Sequence, residues 1–215
     1  MAAKSFVVFG LGKFGYSVAT SLCNNGCEVL AVDLDGDIVE DIANDVTFAV
    51  KANVTDPDVY KSLGIGNMDG AVVAIADNME ASILATIFSK EAGIPYVLAK
   101  ATSATHAAVL QKVGADQIIM PEKEMGSRVA RNMVFGKFMD TFELSSTYSM
   151  VEMEVPESWA KKSLRELDVR SRYGVNVIAV RDGEKINANI DPDIPLLEHQ
   201  IILTVGNNDD LKRIQ

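Results

Sequence analysis

A glycine-rich hexapeptide, Gly10-Leu11-Gly12-Lys13-Phe14-Gly15, follows the first apolar run of the chain and has the residue types needed to bind a phosphate group. Gly10 permits a tight turn, Gly12 lets backbone N–H groups approach a phosphate closely, and Gly15 lets the following helix pack on the strand. The start of that helix would add unpaired N–H donors and a partial positive charge. The motif therefore predicts a phosphate-binding turn between a strand and a helix.

An acidic residue, Asp33, lies 18 residues beyond Gly15, directly after a second apolar run that ends at Val32. A carboxylate at such a strand end accepts hydrogen bonds from ribose hydroxyls and repels a 2′-phosphate. The two motifs together predict an adenine nucleotide whose ribose carries no 2′-phosphate. They leave open the choice between NAD(H) and ATP, ADP or AMP.

Lys13 lies at the tip of the glycine-rich turn. The bridging pyrophosphate of a dinucleotide needs little more than backbone donors, whereas the terminal phosphates of ATP would benefit from an added cation. Lys13 therefore favours a nucleotide with terminal phosphates, and the alternative interpretation is a solvated lysine.

An enzyme would also need a set of catalytic side chains, and none is recognisable in the sequence. His106, which we predict to be a surface or edge residue of a helix, and His199 both lack evident acid–base neighbours. Cys23 and Cys27 have no second pair of cysteines and are predicted to be structural. We therefore predict a sensor rather than an enzyme.

The elements that must position these residues form an α/β pattern. Short, nearly uninterrupted apolar runs alternate with amphipathic helical stretches through the first 120 residues, as in strands covered on both faces. This rhythm predicts a Rossmann-like, doubly wound parallel sheet in residues 1–121. Residues 122–140 are predicted to be a crossover helix and linker, because Glu122 to Phe138 carries an apolar stripe at helical spacing. Residues 141–215 are predicted to form a small α+β domain with a hairpin at Asp182-Gly183.

Composition limits the remaining classes of function. The chain has 215 residues and a formal net charge of −10, which disfavours a phosphate-neutralising nucleic-acid surface. No apolar run approaches the roughly 20 residues that span a bilayer, and the first residues lack the organisation of a signal peptide. We therefore expect a cytoplasmic protein.

Several ordered motifs together resemble the cytoplasmic regulatory subunits of Ktr/Trk potassium transporters. The resemblance covers essentially the whole chain, and the stretches that carry it are Phe9–Gly15, Ala31–Asp33, Ala74–Ser82, Lys112–Asp116, Pro121–Gly126 and Val169–Val180. It implies a regulator of potassium conductance (RCK) fold, with an RCK N-domain joined to a small RCK C-domain.

The resemblance also implies a function and an assembly. Such subunits form homo-octameric rings of dimers beneath a separate membrane potassium channel, so this chain would lie on the inner face of the membrane through that partner. ATP and ADP in the N-domain favour different ring shapes and thereby set the gate. The alternatives are an NAD(H)-responsive sensor of the Trk type and, as an enzyme, a small NAD-dependent oxidoreductase.

By position, the resemblance assigns residues to the nucleotide site. Gly10, Gly12 and Gly15 would form the phosphate loop, Lys13 would reach the γ-phosphate, and Asp33 would hold the ribose. Glu122 would bind a Mg or Na ion near the γ-phosphates, its alternative being a helix-start carboxylate that the helix dipole favours. Further nucleotide contacts are assigned to Phe14, Asp77, Asn78 and Lys100.

A second ligand is implied for the small domain, where many relatives bind cyclic di-AMP at a dimer interface. Arg170 would meet a phosphate, Asn176 and Val177 would contact the adenine, and Pro192 would form the opposite wall. The alternative is a surface arginine beside a core valine.

Oligomer contacts are expected from the apolar stripe of the Glu122 to Phe138 helix together with Ile83, Leu84, Ile87 and Phe88.

Overall fold

A computed structural model of the chain describes residues 3–135 and 138–214. The chain divides into two compact units, Met1–Pro121 and Glu122–Gln215. The first unit is built on a parallel sheet and the second on an antiparallel sheet. None of the described helices is long and apolar enough to cross a membrane.

Six parallel strands form the sheet of the first unit, in the order β3-β2-β1-β4-β5-β6. They are β1 (Ser5–Phe9), β2 (Glu28–Asp33), β3 (Phe48–Lys51), β4 (Gly70–Val73), β5 (Val97–Lys100) and β6 (Gln117–Ile119). This order reverses direction between β1 and β4, and ligands of such sheets bind at the carboxyl ends of the strands beside that reversal. The predicted doubly wound parallel sheet is confirmed.

Five helices connect these strands. They are α1 (Lys13–Asn24), α2 (Gly36–Ile42), α3 (Pro57–Ser62), α4 (Met79–Glu91) and α5 (Ala104–Lys112), with a short 3₁₀ helix at Ile65–Asn67. Local chemistry sets their ends: the Asp56 carboxylate accepts a hydrogen bond from the Asp58 N–H at the start of α3, with Pro57 in the first position. All four residues of β4 are buried, which explains why its sequence is an uninterrupted apolar run.

The face that α4 presents to the interior is made of small residues. Its buried positions are Ala81, Ser82, Ala85, Thr86 and Ser89. The larger side chains of the same helix, Ile83, Leu84, Ile87 and Phe88, are half-buried. In the described structure, α4 thus keeps much of its aliphatic surface outside the fully buried core.

The second unit contains a five-stranded sheet in the order β10-β9-β11-β8-β7. After α6 (Pro121–Phe135), its elements are β7 (Phe138–Glu143), β8 (Tyr148–Glu154), α7 (Leu164–Leu167), α8 (Val169–Tyr173), β9 (Val175–Asp182), β10 (Lys185–Asn187), β11 (Ile201–Asn207) and α9 (Asn208–Lys212). The predicted hairpin at Asp182-Gly183 is present, because β9 and β10 pair antiparallel with Lys185 opposite Asp182. Trp159, which is 1% exposed, lies in the core of this unit, and the centroids of its ring and the Tyr173 ring are 5.1 Å apart.

The crossover helix ends earlier than its apolar stripe predicts. The helix α6 stops at Phe135, and Phe138, which we predicted as its last residue, belongs to β7. The reason is tertiary: β7 pairs with β8, with Thr141 opposite Val151 and Phe142 opposite Met150. The second sheet therefore begins three residues before the predicted domain start at Thr141.

Candidate functional site

The glycine-rich turn joins β1 to α1 at the carboxyl edge of the first sheet. The Gly10 N–H donates to the Val32 carbonyl at 2.9 Å, which fixes the turn against the end of β2. Gly10 has a φ of 88°, a left-handed conformation that other residues rarely adopt. A Cβ at this position would also lie 2.9 Å from the Ile75 side chain, so the turn packs closely on the residues after β4.

The other two glycines of the motif have different physical requirements. A Cβ on Gly15 would lie 1.8 Å from the Gly10 carbonyl oxygen and 3.0 Å from the Ala74 Cβ, so only glycine fits there. A Cβ on Gly12 would meet no described protein atom within 4 Å. Gly15 is thus needed for packing, whereas Gly12 leaves open space beside the start of α1.

Asp33 connects the end of β2 to this turn. Its carboxylate accepts a hydrogen bond from the Leu11 N–H at 2.6 Å and another from the Asp35 N–H at 2.9 Å. Leu11 is 2% exposed, so its N–H needs this protein partner. Asp33 therefore lies beside the glycine-rich turn, where the sequence predicted a ribose-binding carboxylate.

The neighbouring aspartates of β2–α2 serve the local backbone. Asp35 caps α2, its carboxylate accepting from the Asp37 N–H at 3.0 Å. Among the residues that the structure describes, no group of three or more His, Cys, Asp or Glu side chains is arranged to hold a metal ion. The Asp33 and Asp35 carboxylates therefore hold the backbone of this turn and of the start of α2.

The loop after β4 lies against the glycine-rich turn, with Ile75 and Ala74 next to Gly10. Its first residue, Ala74, donates from its N–H to the Phe9 carbonyl at 2.7 Å, which aligns the loop with the end of β1. Asp77 is exposed at this edge, and the Asn78 side chain accepts from the Ala81 N–H at 3.0 Å as the cap of α4. The capping bond uses the Asn78 carbonyl oxygen and leaves its amide donors for other contacts.

Lys100, at the end of β5, is buried although it carries a charged group. It is 7% exposed, and its Nζ lies 5.6 Å from the centroid of the Phe14 ring in a cation–π geometry. The structure thus brings together Phe14 and Lys100, which the resemblance assigned to one site. Lys13, the first residue of α1, is exposed.

A further cation at this edge was not singled out from the sequence. Lys51, the last residue of β3, lies opposite Asp33 in the register of β2 and β3. Its Nζ lies 3.3 Å from the position that a Cβ on Gly36 would take, at the first residue of α2. The signal was available, because parallel strands end at the same edge and Lys51 closes the strand next to Asp33.

The prediction for His106 is wrong. Its side chain is fully buried in the first turn of α5, on the same face as Leu110, which lies one turn later and is also 0% exposed. Its chain neighbours do not reveal this face, because Ala107 is half-buried and Ala108 is exposed. The His106 Nδ1 accepts from the Thr102 N–H at 3.4 Å, and burial lowers the pKa of the imidazole below its ordinary value.

The expectation for His199 also needs a correction. Its Nε2 lies 3.3 Å from the Asp182 carboxylate, so it has an acidic neighbour that the sequence did not reveal. Both side chains are more than half exposed.

Cys23 and Cys27 are free thiols packed against the hydrophobic core that includes α1 and β2.

Glu122 lies in the first turn of α6 and is exposed. A carboxylate in a first helical turn is favoured by the helix dipole, whether or not it also binds a cation. Its assignment to a metal ion stays a prediction.

A cavity of about 380 Å³ lies within the second unit. Its lining brings together all four residues that the resemblance assigned to a second ligand, Arg170, Asn176, Val177 and Pro192, and includes Leu164, Arg165, Asp168, Val169, Val175 and Ile190. Aliphatic side chains and the guanidinium groups of Arg165 and Arg170 thus share one concave surface. Apolar walls with a few polar groups are the combination that holds a small molecule in place.

Comparisons with known proteins agree with this architecture. A TrkA-N domain model matches residues 6–121, and a TrkA-C domain model matches residues 150–215. Ktr system potassium uptake protein C of Bacillus subtilis is 37% identical over 212 residues, covering 99% of this chain and 96% of the relative. Ktr system potassium uptake protein A of Vibrio alginolyticus is 39% identical over 208 residues, covering 97% of this chain and 94% of the relative.

A solved structure supports the fold. The RCK domain of GsuK matches with a TM-score of 0.68 at 15% identity, over 99% of this chain and 48% of that chain. This chain therefore spans about half the length of that one, and at this identity the likeness concerns the fold.

Proposed function

Because this chain belongs to the Ktr potassium-uptake protein family and carries its TrkA-N and TrkA-C domains, we propose that it is a nucleotide-sensing regulatory subunit of a membrane potassium channel. The family is one of potassium-uptake proteins, in agreement with the prediction of a non-catalytic chain. In this proposal the chain is cytoplasmic and reaches the membrane through the channel subunit.

The open space at Gly12 is the observation that carries the nucleotide proposal. The chain's own packing explains Gly15, whereas nothing described in the protein within 4 Å requires a glycine at position 12. A phosphate that approaches the N–H groups at the start of α1 would require it. Asp33 lies beside the turn and is available to a ribose, since each carboxylate oxygen accepts more than one hydrogen bond.

ATP and ADP are the nucleotides proposed, with NAD and NADH as the alternative. The exposed Lys13 at the start of α1 supports the preference for ATP and ADP over NAD and NADH, because its charge suits terminal phosphates better than a bridging pyrophosphate.

Glu122 would bind a Mg or Na ion together with the γ-phosphates. One glutamate is sufficient for that role, because Mg²⁺ is usually held by one or two carboxylates plus phosphates and water.

Parallel thermal unfolding with ATP, ADP, NAD and NADH tests the choice of ligand. A ligand that binds the folded state at 100 times its dissociation constant stabilises it by about 2.7 kcal/mol, which a melting curve resolves. Stabilisation by ATP and ADP, lost in Gly12→Ala, supports the proposal. Stabilisation by NAD or NADH alone would instead favour the Trk-type sensor.

Repeating the ATP titration with and without Mg²⁺, in wild type and Glu122→Gln, tests whether Glu122 binds a cation.

Gating requires that the nucleotide distinguish between two shapes of an assembly, because a ligand shifts an equilibrium only by its differential affinity. We propose a homo-octameric ring of dimers beneath the channel, in which ATP and ADP favour different shapes. Exposed apolar residues on α6 support an assembly: Met125 is 54%, Val129 49% and Met133 79% exposed. Potassium flux through the reconstituted channel with ATP and with ADP tests the gating.

Cyclic di-AMP is the ligand we propose for the second-unit cavity, as an inhibitory input separate from ATP. The cavity unites Arg170 with Asn176, Val177 and Pro192, so a guanidinium for phosphate lies near an amide and apolar walls for a base. A two-fold symmetric ligand would take one such half-site from each of two subunits. Calorimetry tests this: Arg170→Ala should abolish cyclic di-AMP binding and leave ATP binding unchanged. Wild-type protein that does not bind the ligand at micromolar concentration would remove the proposal.

A further inference from the structure

The loop of residues 188–194, which supplies one wall of the second-unit cavity, is attached to the rest of its unit through Arg165. The Arg165 backbone N–H donates to the Pro192 carbonyl at 3.0 Å. Its guanidinium forms two parallel bonds with Asp193, from Nε to Oδ1 and from Nη2 to Oδ2, the latter at 3.2 Å. Other hydrogen bonds of this loop are local: the Asn189 N–H donates to the adjacent Asn187 side chain, and the Asp193 and Ile194 N–H groups donate to Asp191.

Hydrophobic burial contributes little to the position of this loop. Every residue of the segment except the half-buried Ile190 is exposed, and Ile194 is 62% exposed. A segment with few buried contacts opens easily unless specific polar contacts hold it. The bidentate Arg165–Asp193 pair is therefore the contact with the geometry to fix it, because two parallel bonds set the orientation as well as the distance.

The two residues have different relationships to the cavity. Arg165 is one of its lining residues, together with Ile190 and Pro192 of the loop, whereas Asp193 is not. Asp193 can thus influence a bound ligand only by holding Arg165 and the loop in place. Arg170 and Asn176, which also line the cavity, provide the groups assigned to ligand contact.

We propose that Arg165 and Asp193 are positioning residues of this ligand site, and that their ion pair holds the Ile190–Pro192 wall at the distance a nucleotide base requires. The proposal rests on the proposed function of the cavity as a cyclic di-AMP site. It assigns to Asp193, outside the cavity, a share of the affinity for a ligand that it does not contact.

Calorimetry with cyclic di-AMP on the full chain tests the proposal. Asp193→Asn should weaken binding about fivefold, because an exposed ion pair has a modest effect and the backbone bond to Pro192 remains. Asp193→Glu, which keeps a carboxylate, should restore most of the affinity. Arg165→Lys should weaken binding like Asp193→Asn, because lysine keeps the charge but loses the planar fork.

The chain offers a matched control in the same unit. Lys161 and Glu198 form an exposed ion pair at 3.4 Å, and neither residue lines the cavity. Glu198→Gln should leave cyclic di-AMP affinity unchanged. Equal losses in Glu198→Gln and Asp193→Asn would overturn the proposal, as would unchanged binding in Asp193→Asn. Tighter binding in Asp193→Asn would also overturn it, because Arg165 would then be a ligand contact that Asp193 restrains.

Hydrogen exchange without ligand separates this proposal from that of the ligand itself. The backbone N–H groups of Asn189, Ile190 and Asp191 should exchange faster in Asp193→Asn than in wild type, and at the wild-type rate in Glu198→Gln. If wild-type protein does not bind cyclic di-AMP, the ligand proposal fails, and this comparison still decides whether the ion pair holds the wall. Equal exchange in Asp193→Asn and wild type would overturn the positioning role.

Discussion

The Asp33 carboxylate accepts a hydrogen bond from the Leu11 backbone N–H at 2.6 Å, and so links the end of β2 to the glycine-rich turn after β1. The same carboxylate is the group that we propose binds a ribose. Asp33 therefore shapes the turn before any ligand arrives, and its effects on folding and on binding can be measured separately.

Replacing Asp33 by alanine should lower both stability and affinity. The buried Leu11 N–H would lose its partner, at a cost of about 1–3 kcal/mol in the free energy of unfolding. Affinity for adenine nucleotides should fall by a further about 1.5–3 kcal/mol, the range for a hydrogen bond to a charged group. Urea unfolding and calorimetry measure the two effects. Unchanged nucleotide affinity would place the ribose elsewhere, and unchanged stability would show that the bond to Leu11 contributes little.

Alanine substitutions at Gly12 and Gly15 should have opposite consequences. Gly15→Ala places a methyl group 1.8 Å from the Gly10 carbonyl, so we expect a loss of about 3 kcal/mol or more in stability. Gly12→Ala adds a methyl group to open space and should leave the melting temperature without ligand unchanged. It should weaken ATP binding by at least about tenfold, because the methyl group takes the place of the phosphate. If Gly12→Ala binds ATP like wild type, the phosphate lies elsewhere.

Replacing Lys13 by methionine should weaken ATP binding more than ADP binding. The side chain is exposed at the first residue of α1, so the substitution removes a charge without disturbing the core. We expect a loss of about tenfold for ATP and about twofold for ADP, because the lysine would face the terminal phosphate. Calorimetry with both nucleotides measures the ratio. Equal losses would assign Lys13 to the solvated surface, and Lys13→Arg serves as the charge-preserving control.

His106 should make stability depend on pH. Burial lowers its pKa in the folded state, so the unfolded chain binds a proton more readily and stability falls as the pH drops below the ordinary value of 6.5. The loss is about 1.4 kcal/mol per pH unit between the unfolded and folded pKa values.

His106→Gln should remove this part of the pH dependence, measured by urea unfolding with circular dichroism. His199→Gln is the control, because the His199 side chain is 65% exposed. Identical pH profiles for His106→Gln and wild type would contradict the prediction.

Charged substitutions on α6 should weaken self-association. Met125, Val129 and Met133 recur every four residues and are about half or more exposed, so they form an apolar stripe on one face of the helix. Val129→Asp should shift the assembly towards smaller species in light scattering, because a charge in an apolar interface must lose its hydration. A monomer at all concentrations of the wild-type chain would remove the oligomer proposal.

Features that depend on local chemistry could be predicted from the sequence. The cap at Asp56, the left-handed glycines at 26, 93 and 114, and the parallel strands follow from neighbouring residues or from short apolar runs. The glycine-rich turn and Asp33 belong to this group, because their relationship follows from two adjacent strands.

Features that depend on tertiary packing were missed or mistaken. His106 is buried because its helix face packs inward, and Phe138 lies in a strand because β8 is available to pair with it. Arg165 and Asp193 lie 28 positions apart in the sequence, and no short-range sequence pattern indicates a contact over that separation. The cavity that Arg165 lines is likewise a property of the folded second unit.

The single tryptophan makes one unit of this protein visible on its own. Trp159 is the only tryptophan in the sequence, and it is buried in the core of the second unit beside Tyr173. Its fluorescence emission therefore reports on the environment of that core, whereas far-ultraviolet circular dichroism sums the secondary structure of both units. Two denaturation curves that coincide would show the units unfolding together, and two that separate would show them unfolding independently. A ligand of the second-unit cavity should shift the emission curve directly, which provides an optical signal without any added label.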